Sequence, residues 1–164
     1  MSDFGQFNMK ENDKVGTRKE YVITLNKKGR HDYEILNTYE AGIVLTGTEV
    51  KSLRDHKASI QEAYARIKGG EVWMVSSNIP IYKHGNIANH DPLRERKLLL
   101  SKSEIRKIDQ KLKEKGLTLI PLKLFFSGPF IKVEIGLAKG KKLYDKRETI
   151  RKEESKRHLK RIRI

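Results

Sequence analysis

In residues 118–137, TLIPLKLFFSGPFIKVEIGL, the side chains of Thr118, Ile120, Leu122, Leu124 and Phe126 alternate with Leu119, Pro121, Lys123 and Phe125. After Ser127-Gly128-Pro129 the beat resumes at Ile131, Val133, Ile135 and Leu137. A period of two is that of a β-strand, and a Gly-Pro turn between two such runs predicts an antiparallel hairpin. Pro121 has no N–H to give to a ladder, so it is expected at an edge or a bulge.

Outward from this hairpin the same signals recur. Ala63 to Ile67 and Val72 to Val75 flank Lys68-Gly69-Gly70-Glu71, and Gly-Gly between two such runs signals a tight hairpin. From Tyr33 onward, Tyr39, Ala41, Ile43 and Leu45 fall on one side of an extended segment, with Glu40 and Gly42 on the other. Thr46 with Glu49, flanked by Leu45 and Val50, forms a capping box and staple that open a short helix ending near residues 55–57. Ser101 with Glu104 opens a second, whose buried stripe is Ile105, Ile108 and Leu112 and whose end is Gly116. Residues 76–97, broken by Pro80, Gly85 and Pro92, read as a long excursion from the sheet. The expected fold is mainly β with flanking helices: an antiparallel β-barrel of the oligonucleotide-binding (OB) type with a disordered basic C-terminal tail. Its expected divisions are a flexible leader (1–20), a barrel domain (21–138) and the tail (139–164).

Of the 164 residues, 36 are Lys or Arg against 21 Asp or Glu, for a net charge of +15. Residues 139–164 alone hold 12 of those cations and four of the acids. A charge gradient toward one terminus is the footprint of an arm that meets a polyanion, with nucleic acid the leading partner class. An anionic membrane surface fits less well, because Leu143, Tyr144, Ile150, Leu159, Ile162 and Ile164 are too sparse for a helical stripe. No apolar run approaches the roughly 18 residues of a membrane span, and the first residues lack a secretory signal's order, so a cytoplasmic location is expected. The absence of cysteine excludes disulfides, thiolate zinc sites and iron–sulfur clusters.

Catalytic chemistry finds no support. The run from Gly136 to Lys142 has neither the spacing nor the Ser or Thr of a phosphate-binding loop, and the five histidines show no metal-ligand spacing. No carboxylate pair is spaced as a dyad, so neither an enzyme, a cofactor nor a metal is expected. Binding is better supported: Lys27, Lys28, Arg30 and His31 precede the Tyr33 strand, and Arg94, Arg96 and Lys97 follow the Pro92 break. Both groups are expected in loops that offer cations to phosphates. Glu40 is either an acceptor for a base edge or ribose 2′-hydroxyl, or a member of a surface salt bridge. In the tail, Glu148 with Lys152 and Glu153 with Arg157 favour a helix by only about 0.2–0.5 kcal/mol each, too little to order the segment without a partner. Tyr144 either stacks on a base or anchors the start of the tail with Leu143.

Four blocks in order, GTEVKSLR (47–54), NHDPLRERKLLL (89–100), EKGLTLIPLKL (114–124) and GLAKGKKLYDKRETI (136–150), resemble the small protein B family, the SsrA-binding proteins of bacteria. The likeness runs from about Asn26 to Ile150. It implies an OB-type barrel that binds the tRNA-like domain of transfer-messenger RNA (tmRNA) and escorts it to stalled ribosomes, without enzymatic activity. The tail would enter the vacant decoding centre and messenger channel of the small subunit and become helical there. By position, the resemblance implies RNA-binding roles for Glu40 and Leu99. It implies decoding-centre roles for Tyr144, Asp145, Lys146 and Arg147, within a tail that begins at Gly140, Lys141 and Lys142. Ser101 matches a position where one member has asparagine, but here it reads as a helix cap. A monomer is expected, and the rival is a general single-stranded or ribosomal RNA-binding OB protein.

Overall fold

The alternation of residues 118–137 forms two long strands in the computed structural model, which describes residues 19–84, 89–114, 116–141 and 150–158. In chain order the elements are β1 (Glu20–Leu25), α1 (Lys27–Asp32), β2 (Tyr33–Ile43), α2 (Gly47–Arg54), β3 (Tyr64–Lys68) and β4 (Glu71–Val75). They are followed by β5 (Arg96–Leu99), α3 (Lys102–Leu112), β6 (Leu117–Ser127) and β7 (Phe130–Gly140). Ser127 pairs with Phe130 across the β6–β7 turn, where Gly128 takes φ 56°. The β6–β7 register shifts between Pro121 and Lys123, so the proline sits at a bulge. The Gly-Gly hairpin also forms as expected: Lys68 pairs with Glu71, and Gly69 and Gly70 have φ 62° and 76°.

All strand pairings are antiparallel. They run β6–β3–β4–β5–β2–β7 and return to β6, while β1 pairs with β6 residues 123–127. Inside this circuit lie Ala41, Val72, Met74, Leu98, Val133 and Ile135, all essentially inaccessible, and α3 closes on them through Ile108. A smaller cluster, Ile120, Leu122 and Ala138 with Tyr33 and Ile35, forms on another part of the sheet. One residue of it, Ile120, packs against Gly29 of α1.

Four features differ from the sequence expectations. β1 lies upstream of Tyr33 and escapes pattern reading because only Ile23 of its six residues is buried. The Ser101 hydroxyl does accept from the Glu104 N–H at 3.2 Å, but α3 ends at Leu112, and Gly116, with φ 85°, turns the chain into β6. β7 continues through Gly140, so Lys139 and Gly140 pair within the sheet instead of starting the tail. Residues 150–158 are helical where an unstructured arm was expected, and every one of them is exposed.

Candidate nucleic-acid interface

The basic run before β2 is a short helix, not the loop expected from its composition. Asn26 holds it in place: its side chain accepts from the Gly29 N–H at 2.8 Å, while its Nδ2 donates to the Pro121 carbonyl at 2.8 Å and the Ile60 carbonyl at 3.2 Å. Gly29 lies so close to Asn26 and Ile120 that a Cβ there would sit 2.7 Å from Asn26 Nδ2. Tertiary contacts thus supply what a six-residue helix lacks in nucleation. Lys27, Lys28 and Arg30 are exposed and His31 is half-buried. Lys28 Nζ meets Glu62 Oε1 at 2.6 Å, and that hydrogen bond and charge raise the ammonium's pKa. His31 Nδ1 lies 3.0 Å from Asp32 Oδ1.

Register brings Glu40 and Leu99 together. Gly42 of β2 faces Leu99 of β5 on one side and Lys132 of β7 on the other, and Glu40, two residues earlier, shares Gly42's face. Leu99 Cβ would lie 3.3 Å from a Cβ on Gly42, so the glycine makes room for a leucine that remains 50% exposed. Glu40 lies opposite Glu134, a pairing of like charges that needs compensation. Lys132 Nζ supplies it at 2.6 Å from Glu40 Oε1, while Arg30 Nη2 and Lys123 Nζ stand 3.8 and 3.6 Å from the two Glu134 oxygens. Glu40 therefore sits in a surface salt bridge, with its side chain half exposed. Next to it, Gly42, Leu99, Lys132, Val50 and the exposed Phe130 line a groove of about 330 Å³. Lys123 and Lys132 escaped the sequence reading because only the strand register puts them beside Glu134 and Glu40.

Arg94 lies in the loop before β5, as expected, whereas Arg96 and Lys97 do not. Arg96 and Lys97 belong to β5, and the Arg96 side chain is 0% exposed, so it offers no cation to a phosphate. Its Nε and Arg94 Nη2 donate to the two oxygens of Glu49, which is equally buried. The remaining Arg96 donors reach Ser77 Oγ at 2.9 Å, the Ser77 carbonyl at 3.0 Å and the Pro92 carbonyl at 3.1 Å. Burial alone would push the Glu49 carboxyl up, but hydrogen bonds from Arg94, the Thr46 N–H and Arg96 together hold it below its ordinary value. Burial likewise pulls Arg96 down, with Glu49 opposing. This hub ties α2 and β5 to the 76–95 excursion. Lys97 is surface-exposed in part and paired with Glu71 at 2.7 Å.

Of the tail candidates, Gly140 pairs with Tyr33, and the Lys141 N–H donates to the Asp32 carbonyl at 3.0 Å. Lys142, Tyr144, Asp145, Lys146 and Arg147 lie outside the described residues, as does the leader through residue 18. Among the described residues, no helix is long and apolar enough to cross a membrane.

A family model described as SmpB protein matches residues 23–163. The SsrA-binding protein of Ligilactobacillus salivarius is 50% identical over 143 residues, covering 87% of this chain and 92% of the relative. That of Streptococcus mutans is 56% identical over 140 residues, 85% of this chain and 90% of the relative. A solved chain from the structure described as "tmRNA-SmpB: a journey to the center of the bacterial ribosome" superposes with a TM-score of 0.64 at 49% identity, covering 78% of this chain and 94% of that one. With the family match spanning nearly all of the folded residues, and with relatives at half identity or more over most of their own length, this chain belongs to the SmpB protein family.

Proposed function

We propose that this chain acts in trans-translation: it binds tmRNA through its tRNA-like domain and works with it on stalled ribosomes. The reading is carried by the juxtaposition of Glu40, Lys132 and Leu99 around Gly42, with Arg30 of α1 linked to the same face through Glu134. Lys132 and Arg30 can exchange their carboxylate partners for phosphates, because exposed ion pairs are weakly held. Glu40, once released, accepts from a base edge or a 2′-hydroxyl, and Leu99 packs against a sugar or base. Lys27, Lys28 and His31 extend the cationic border along α1. The closed circuit of strand pairing supports a barrel of the OB type. The segment from Lys141 through Arg147, with Lys142, Tyr144, Asp145 and Lys146, meets the decoding centre, and the basic helix of residues 150–158 occupies the messenger channel. The protein works as a monomer in the cytoplasm, by binding and without catalysis.

The test is a binding comparison at physiological salt between the tRNA-like domain and an unrelated RNA of equal length. Preference for the tRNA-like domain is expected, together with a loss of roughly tenfold in affinity in Glu40→Ala, the size of a hydrogen bond to a charged group. Equal affinity for both RNAs would leave only a general single-stranded or ribosomal RNA binder.

A further inference from the structure

Beside α1 a cleft of about 340 Å³ opens between that helix, the start of β6 and residues 61–64, which lead into β3. Its lining includes the buried Ala63 and Ile120, 5% and 4% exposed, together with Tyr33 and Tyr64. Its rim is polar: Gln61 and Glu62 are exposed, and Lys28 reaches Glu62. Asn26 also lines it, but the Asn26 amide is committed to Gly29, Ile60 and Pro121 and serves as a wall.

We infer that this cleft receives an unpaired purine base of the bound RNA. Its volume lies at the lower end of small-ligand sites, about 300–1,000 Å³, which suits a single base with part of its sugar. Its charges argue against a phosphate, since Asp32 and Glu62 face one ammonium, that of Lys28. They suit a base, because a base is neutral, has apolar faces and carries donors and acceptors at its edge. Tyr64, 41% exposed, offers a ring for stacking. The Gln61 amide can pair with the amino group and ring nitrogen of adenine, and Glu62 can accept from an exocyclic amine. The Lys28–Glu62 pair at the rim is open to solvent on both sides, with side chains 52% and 74% exposed, so it yields readily to an entering base. Arg30, on the same short helix as Lys28, is paired with Glu134, so α1 joins this cleft to the face around Glu40. An RNA strand following that helix therefore meets the cleft without leaving the protein.

This inference rests on the RNA-binding reading above, and the experiment separates the two. 2-Aminopurine is placed in turn at each unpaired purine of the tRNA-like domain and titrated with the full-length protein. At one position the fluorescence should change with the unaltered protein and not with Tyr64→Ala, and on the unmodified RNA, whose adenine keeps the 6-amino group that 2-aminopurine lacks, Tyr64→Ala and Gln61→Ala should each bind roughly fivefold or more weakly. Tyr64→Phe, which keeps the ring, should restore binding, and an abasic site at that position should erase the difference between the unaltered protein and Tyr64→Ala. Unchanged affinity for the unmodified RNA in both alanine variants, with unchanged fluorescence in Tyr64→Ala, would overturn the cleft assignment while leaving the proposed function intact. Failure of the unaltered protein to prefer the tRNA-like domain would count against the proposed function itself.

Discussion

Glu49 accepts from two arginines and a backbone N–H while itself shut off from water, so three elements depend on one carboxylate. Removing it leaves Arg96 as an uncompensated buried cation, and Glu49→Ala should cost about 3–5 kcal/mol in denaturant unfolding. The pH dependence follows in sign. Because the folded carboxyl is held below its ordinary value, its contribution is complete above the unfolded pKa of about 4.3 and disappears as pH falls through the lower folded value. Urea midpoints should therefore fall more steeply with acid in that window for the unaltered protein than for Glu49→Gln, which starts lower. Leu99 presents the opposite case. Half exposed over Gly42, it contributes little packing, so Leu99→Ala should change stability by no more than about 0.5 kcal/mol. Its affinity for the tRNA-like domain should nevertheless drop about fivefold, as for an interface residue worth about 1 kcal/mol. A large stability loss would instead make Leu99 a core residue.

At the scale of the element, the turn of the β3–β4 hairpin depends on backbone freedom. Gly69 and Gly70 both have positive φ, and a Cβ at either position would meet no atom within 4 Å. The cost of Gly70→Ala is then purely conformational, about 1 kcal/mol, readable as a lowered Tm with unchanged RNA affinity. An unchanged Tm would mean that the turn relaxes freely. This hairpin and α3 were legible in the sequence because their signals are local: a Gly-Gly pair, a serine cap and a stripe at helical spacing. α1 was not, because its stability lies in Asn26 and Gly29 packing on β6, which is far away in the chain.

For the whole molecule, the end of β7 marks the last residues paired in the sheet. Gly140 is still paired, and Lys141 still bonds to Asp32, so a cut after Lys141 spares the sheet, whereas a cut after Ala138 removes paired residues. Deleting residues 142–164 should leave the Tm and RNA affinity nearly unchanged but abolish peptide tagging on stalled ribosomes. Tagging by the truncated protein would refute the division of labour between body and tail. The exposed helix at 150–158, basic and without a packed face, suits a segment that gains its contacts from a polyanionic surface instead of from the sheet.

The amino-acid sequence by itself determined the two hairpins, the caps of α2 and α3 and the concentration of cations in the last 26 residues, since each is written within a few neighbouring positions. Only the tertiary structure decided which charges face solvent and which side chains meet. Arg96 looks like any surface arginine until Glu49, 47 residues away, is brought against it in the interior. Glu40 acquires Lys132 as a neighbour, and Leu99 its place over Gly42, through strand register. Burial and register are properties of contacts between distant parts of the chain, and no local pattern encodes them.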